Sequence, residues 1–244
     1  MESVAKICGL AAVGLGVAVL AAGCARKPVL KPDGKTVTKA REAARARVDR
    51  DLAAITRRVP EFRLLARAEL DTCNRGHDNW KIHDPYRSEC HLRVAVAYTF
   101  AGEFVPRAAA LHSVLTGRGW TAAEGPRAQN HWDTGRDRPR PVRGLPAALY
   151  QQGTPTPPSS RSLGDVPRTL RLHVTSADES EHRQIHRGIA TDMADAAQIR
   201  AQGLTFLEYH RTFTGTPWAA PWRTARRPGM RLLVLTFQEN YARN

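Results

Sequence analysis

The chain has 244 residues, 42% of them hydrophobic and 25% charged, which is enough apolar content to bury one substantial core or two small ones. That balance excludes a disordered tail. With 37 Lys and Arg against 23 Asp and Glu the net charge is +14, so the surface attracts anions such as nucleic acid, anionic lipid or the anionic polymers of a cell envelope, unless the cations form only a solvated face.

The first element is a leader. Between Lys6 and Arg26 there is no charged residue, and "ICGLAAVGLGVAVLAAGC" has the apolar run and small-residue ending of a secretory signal. It closes on Ala21-Ala22-Gly23-Cys24, where small side chains let a peptidase reach the backbone and the thiol can take lipid. On these residues the chain resembles an exported bacterial lipoprotein of the high-GC, actinobacterial type, with "LAAGC" as the lipobox and Leu20 one place earlier than the commonest arrangement. The resemblance implies cleavage after Gly23, diacylation of Cys24 and residence on the extracytoplasmic face of the cell membrane. It is confined to the leader and implies no particular activity. An uncleaved membrane span and a plain signal peptide are the rival readings, because the apolar run approaches the ~20 residues that cross a bilayer. All three export the remaining chain, which leaves nucleic acid an unlikely partner.

Residues 1–23 are thus expected to be a signal peptide, 24–36 a lipidated cysteine with a basic tether, and 37–244 a single globular domain. The tether holds Pro28, Pro32 and the turn pair Asp33-Gly34, and its cations Arg26, Lys27, Lys31 and Lys35 suit an anionic membrane surface. Fully extended, it spans at most ~40 Å. From Thr38 to about Arg58, apolar residues recur at Ala40, Ala44, Val48, Leu52 and Ile55 with Arg and Asp on the other face, which predicts an amphipathic helix ended by Pro60. It either packs on a sheet or, through Arg41, Arg45, Arg47 and Arg50, lies on a membrane or partner surface.

Next come two strands flanking a cysteine pair. "EFRLLARAELDT" sets Phe62, Leu64, Ala66, Ala68 and Leu70 against Arg63, Arg67, Glu69 and Asp71, with Leu65 out of step. "HLRVAVAYTF" alternates Leu92, Val94, Val96, Tyr98 and Phe100 with smaller or polar residues. Between them lies "CNRGHDNWKIHDPYRSEC". Cys8 leaves with the leader and Cys24 takes lipid, so Cys73 and Cys90 remain, and outside the membrane two nearby thiols pair. Closing a loop of this length stabilises by ~3 kcal/mol in the chain-entropy model. Zinc is the rival, since Cys73, His77, His83, Cys90 and His91 supply enough N and S donors. The spacing is too long for a C-x-x-C redox pair.

Parity complicates the pairing. Cys73 is in phase with the polar residues of its strand and Cys90 with the apolar residues of the next, so a regular ladder would point them to opposite faces. Either one cysteine lies beyond the ladder or a bulge intervenes. Within the loop, Gly76, Asp78-Asn79 and Asp84-Pro85 are turn chemistry. Trp80 and Tyr86 either face a partner or form a small core beneath the loop.

Further on, "PRAAALHSVLTGRGW" predicts a short helix through Ala108, Leu111 and Leu115, with Trp120 opening a strand. Gly125 to about Pro167 reads as a long Pro/Gly-rich loop in which "GLPAALYQQ" can form one strand. "RTLRLHVTS", "LTFLEYHRTF" and "MRLLVLTFQ" predict strands, and "IATDMADAAQIRAQG" a third helix. Strands that follow one another without a helix between them define an α+β class with a mainly antiparallel sheet, an N-terminal amphipathic helix and two further helices.

Catalytic motifs are absent: there is no G-x-S-x-G, phosphate-binding glycine loop, G-x-G-x-x-G or H-E-x-x-H, and no cofactor is implied. The nearest approach is "HRQIH". His182 and His186, at i and i+4, are the candidate ligands of a metal-assisted hydrolase, with Asp178, Glu179 and Glu181 nearby and Arg183 in place of the general-base Glu. Alternatively the acids mark a solvated helix start. The expected function is therefore a non-enzymatic, lipid-anchored envelope protein whose cationic surface meets an anionic polymer, lipid or protein.

Overall fold

The computed structural model describes residues 28–79, 81, 83–122, 149–153, 168–175, 207–215 and 229–244. In chain order the elements are α1 (Lys35–Arg58), β1 (Arg63–Arg75), β2 (Ser88–Ala101), α2 (Val105–Gly117), β3 (Thr121–Ala122), β4 (Leu149–Gln152), β5 (Arg168–Thr175), β6 (Glu208–Gly215) and β7 (Met230–Arg243). The strands form one antiparallel sheet in the order β3-β4-β5-β7-β2-β1-β6. Mixed helix and antiparallel sheet is the expected α+β class. The third expected helix and most of Gly125–Pro167 lie outside the described residues.

Both helices cover one face of the sheet. α1 buries Val37, Ala44, Val48, Leu52 and Ile55, and α2 buries Ala108, Leu111 and Leu115. These meet Leu92, Val94, Val96, Tyr98 and Phe100 of β2, Leu170 and Leu172 of β5, and Leu233, Leu235 and Phe237 of β7 in the main core. Their spacing explains the fit, since i, i+4 residues share a helix face and alternate residues share a strand face. α2 ends where Gly119 takes φ +82°, a left-handed conformation natural to glycine. Trp120 follows, fully buried against Phe237. Among the described residues no helix is long and apolar enough to cross a membrane.

Two expectations of sidedness are corrected. Asp51, placed on the polar face of α1 by its charge, is buried among the core residues. In β1 the polar residues, not the apolar ones, face α1. The register pairs Leu64 with Tyr98 and then Ala66 with Ala97, leaving Leu65 as an extra residue. This bulge reverses the facing of every later residue. Ala66 and Ala68 therefore join Ala95, Ala97, Leu232 and Val234 in a second cluster on the face away from the helices. Arg67, Glu69 and Asp71 turn toward α1, where Glu69 pairs with Arg45 at 2.9 Å, Asp71 with Arg41 at 2.5 Å and Arg67 with Asp49 at 2.5 Å.

Candidate functional site

The same bulge solves the parity problem of the cysteines. With one extra residue upstream, Cys73 and Cys90 become direct cross-strand partners on the helix face, and their sulfurs form a disulfide. The flanking strands also adjust here. β6 skips Tyr209 between its partners of Cys73 and Asn74, and β7 skips Tyr241 between its partners of Cys90 and His91. Both tyrosines pack with Val37 and Leu30 around the buried disulfide. The Tyr241 hydroxyl donates to Asp71 Oδ1 at 2.6 Å. Burial and then that hydrogen bond to a carboxylate hold its phenol well above the usual tyrosine range.

Three chain segments converge at this end of the sheet. The loop between the cysteines folds back on itself: His77 N–H donates to Asp84 Oδ2 at 2.6 Å, and the same oxygen lies 2.8 Å from His77 Nδ1. Asp78 and His83 form an isolated bridge, with their side chains 3.1 Å apart. Gly76 N–H donates to the Arg87 carbonyl at 2.9 Å, and a side chain at Gly76 would fall 2.0 Å from the Tyr86 carbonyl oxygen. The C-terminal residue seals the base, where Arg87 N–H donates to the Asn244 carbonyl at 2.8 Å and Ser88 Oγ donates to Asn244 Oδ1 at 2.7 Å. The segment leading into α1 docks on the same groups. Leu30 N–H donates to Ser88 Oγ at 2.9 Å, Asn244 Nδ2 donates to the Pro28 carbonyl, and Arg41 donates to the Pro32 carbonyl at 2.9 Å.

This end of the sheet exposes charge on its outside, as the far end does through Arg57, Arg58 and Arg63. Lys31, Lys35, Arg75, Lys81, Arg87 and Arg243 are exposed, against exposed Asp33 and Asp78. The Arg243 guanidinium lies 4.6 Å from the centroid of the half-buried Tyr86 ring. Trp80, the other aromatic singled out in the sequence, lies outside the described residues. The donors considered for zinc are not gathered: the disulfide takes both sulfurs, and His91 Nδ1 lies 2.5 Å from Asn240 Oδ1. Burial holds the His91 imidazole below its usual value. No group of three or more potential metal ligands occurs among the described residues. Cys24, His182 and His186 lie outside them.

A second polar cluster escaped sequence reading. Asp51 accepts from Arg118 Nε at 2.9 Å, from Arg168 Nη2 at 2.8 Å and from Trp120 Nε1 at 3.3 Å. Arg168 also pairs with Glu239 Oε2 at 2.9 Å, and Arg47 Nε donates to Glu239 Oε1 at 2.7 Å. The Arg168 guanidinium stacks 4.8 Å from the Trp120 ring centroid. These cations are spent on internal carboxylates. The cluster is a structural lock joining α1, β5 and β7, with Arg168 buried and Arg47 and Arg118 partly open to solvent. The available signal was Asp51 itself, in phase with Val48, Leu52 and Ile55 in the helix pattern.

The site is thus the disulfide-stapled, cationic end of an antiparallel sheet covered on one face by helices. Comparison with protein-family models, curated proteins and solved structures returned no match for the chain.

Proposed function

We propose that this chain is an exported, lipid-anchored protein of a bacterial cell envelope, attached through Cys24, whose role is contact and not catalysis. Its partner is an anionic envelope polymer, an anionic lipid or a protein presenting such charge. The observation that carries the reading is the buried Cys73–Cys90 disulfide in a chain whose uncharged run ends on "LAAGC" at Leu20–Cys24. Structural disulfides persist in oxidising compartments, and a lipobox-like leader leads to one.

The distribution of charge supports contact with an anion. Arg47, Arg118 and Arg168 are each paired with a buried carboxylate, and at the disulfide end Lys31, Lys35, Arg75, Lys81, Arg87 and Arg243 are exposed, Arg243 also lying 3.5 Å from the buried Glu89 carboxylate. An exposed positive surface next to an anchored N-terminus suits envelope polyanions.

Intact mass of the protein from membranes, before and after reduction and alkylation, tests the reading. Diacylglycerol on Cys24 and two alkylated thiols appearing only after reduction are expected. An unlipidated Cys24, or two thiols that react without reduction, would overturn it.

A further inference from the structure

We infer that the disulfide end of the sheet faces the bilayer and rests on its anionic headgroups, so that the loop between Cys73 and Cys90 is a membrane-contact element. The inference rests on lipidation of Cys24 and adds to that reading an orientation and a specific surface.

The N-terminal segment is not a free tether along its whole length. From Pro28 onward it is held to the sheet end by the Asn244 side chain on the Pro28 carbonyl, by Leu30 N–H on Ser88 Oγ and by Arg41 on the Pro32 carbonyl. Only the stretch between Cys24 and Pro28 is left to span the gap to the membrane. Four residues reach at most ~14 Å even when fully extended. The acyl chains of a lipidated cysteine place its backbone at headgroup level. The point where the chain enters the domain is therefore held within about one to two Debye lengths of the headgroups at physiological salt.

That point of entry is also the base of the stapled loop. Pro28 contacts Asn244, and Asn244 bonds both Arg87 and Ser88, where the loop rejoins β2. The N-terminus of α1 lies here too, because Val37 packs on Cys73 and Cys90. The six exposed cations of this end lie on the segments that meet at the entry point, with two exposed acids among them and Arg243 3.5 Å from the buried Glu89 carboxylate. Arg26 and Lys27 adjoin it in sequence. Each cation brought next to an anionic surface strengthens association by about fivefold.

Lysine usage follows the same geometry. Beyond the leader the only lysines are Lys27, Lys31, Lys35, Lys39 and Lys81, while the remainder of the chain uses arginine. Lys81 is far from the others in sequence but shares the disulfide end with Lys31 and Lys35 in space. An impermeant amine-acylating reagent therefore reads this surface directly.

The test uses the lipidated full chain in vesicles containing about one third phosphatidylglycerol, in phosphatidylcholine vesicles and in detergent. A reporter lysine is introduced by Ala109→Lys, with Ser113→Lys as a second reporter, both at exposed positions of α2. Acylation of Lys81, Lys31 and Lys35 is expected to fall by at least about fivefold in the anionic vesicles relative to detergent, with the reporter unchanged. Lys81 that stays as reactive as the reporter, on protein whose mass shows a lipidated Cys24, would overturn the orientation and leave the anchor reading standing. Equal protection in phosphatidylcholine would overturn the role of anionic headgroups. Absence of lipid on Cys24 would remove the anchor reading and the orientation with it.

Discussion

Asp51 carries more of the fold than its charge suggests, because one carboxylate satisfies two arginines and an indole under the helix layer. Without Asp51, Arg168 keeps Glu239 and Arg118 keeps water, but the Trp120 indole N–H and part of the Arg168 guanidinium lose their buried acceptor. Asp51→Ala is therefore expected to cost about 1–3 kcal/mol, read as a lower urea midpoint, and Asp51→Asn less because it keeps an acceptor. His91 makes a different contribution. Burial, its largest influence, lowers the imidazole pKa from an ordinary value of 6.5. The unfolded chain binds the extra proton once pH falls below about 6.5, so the stability tied to neutral His91 is whole above that value and is lost as pH falls toward the lower folded one. His91→Gln should flatten the fall of the urea midpoint as pH drops below about 6.5. An unchanged slope there would assign the acid sensitivity to other groups.

Between strands, the stapled hairpin is the feature most open to perturbation. The double variant Cys73→Ala/Cys90→Ala is expected to lose about 3 kcal/mol, the loop-closure estimate, with reduction of the native protein giving the same loss in denaturant unfolding. Gly76→Ala attacks the same loop without touching sulfur. Its added carbon would fall 2.0 Å from the Tyr86 carbonyl oxygen, so the loop base must move. A cost of roughly 1–3 kcal/mol is expected, with a shift in the amide signals of Arg87 and Ser88 as the local readout. The existence of both strands was legible from alternation, and parity left either a bulge or a cysteine beyond the ladder. The site of the bulge at Leu65 and the turning of Arg67, Glu69 and Asp71 toward α1 were not legible. Alternation reports which residues share a face, and only pairing with β2 and the helix above decides which face is inside.

Assembly of the sheet depends on its last strand. β7 lies between β5 and β2, so the final stretch of the chain joins segments far apart in sequence. Its Glu239 meets Arg168 and Arg47, and its Tyr241 meets Asp71. The excess of +14 is a property of the whole molecule, and under the proposed contact with an anionic partner its consequence is salt dependence. Co-sedimentation of the disulfide-intact domain with cell-wall or anionic-lipid preparations is expected at low salt. Raising salt from about 50 mM to 500 mM should shorten the screening length and release the protein. Binding that strengthens with salt would contradict a charge-driven contact.

Composition, periodicity and the two cysteines by themselves determined the class of fold, the positions of α1, α2 and most of the described strands, and the pairing of Cys73 with Cys90. These follow from local rules: the 3.6-residue and two-residue periods, turn residues and oxidation of nearby thiols. Only the tertiary structure decided that Asp51 points inward, that β7 lies mid-sheet and that Pro28 to Pro32 are docked and not free. Each of these depends on partners distant in the chain, Arg168 for Asp51, β2 and β5 for β7, Asn244 and Arg41 for the docked segment. A local pattern carries no information about such partners until the sheet has brought them together.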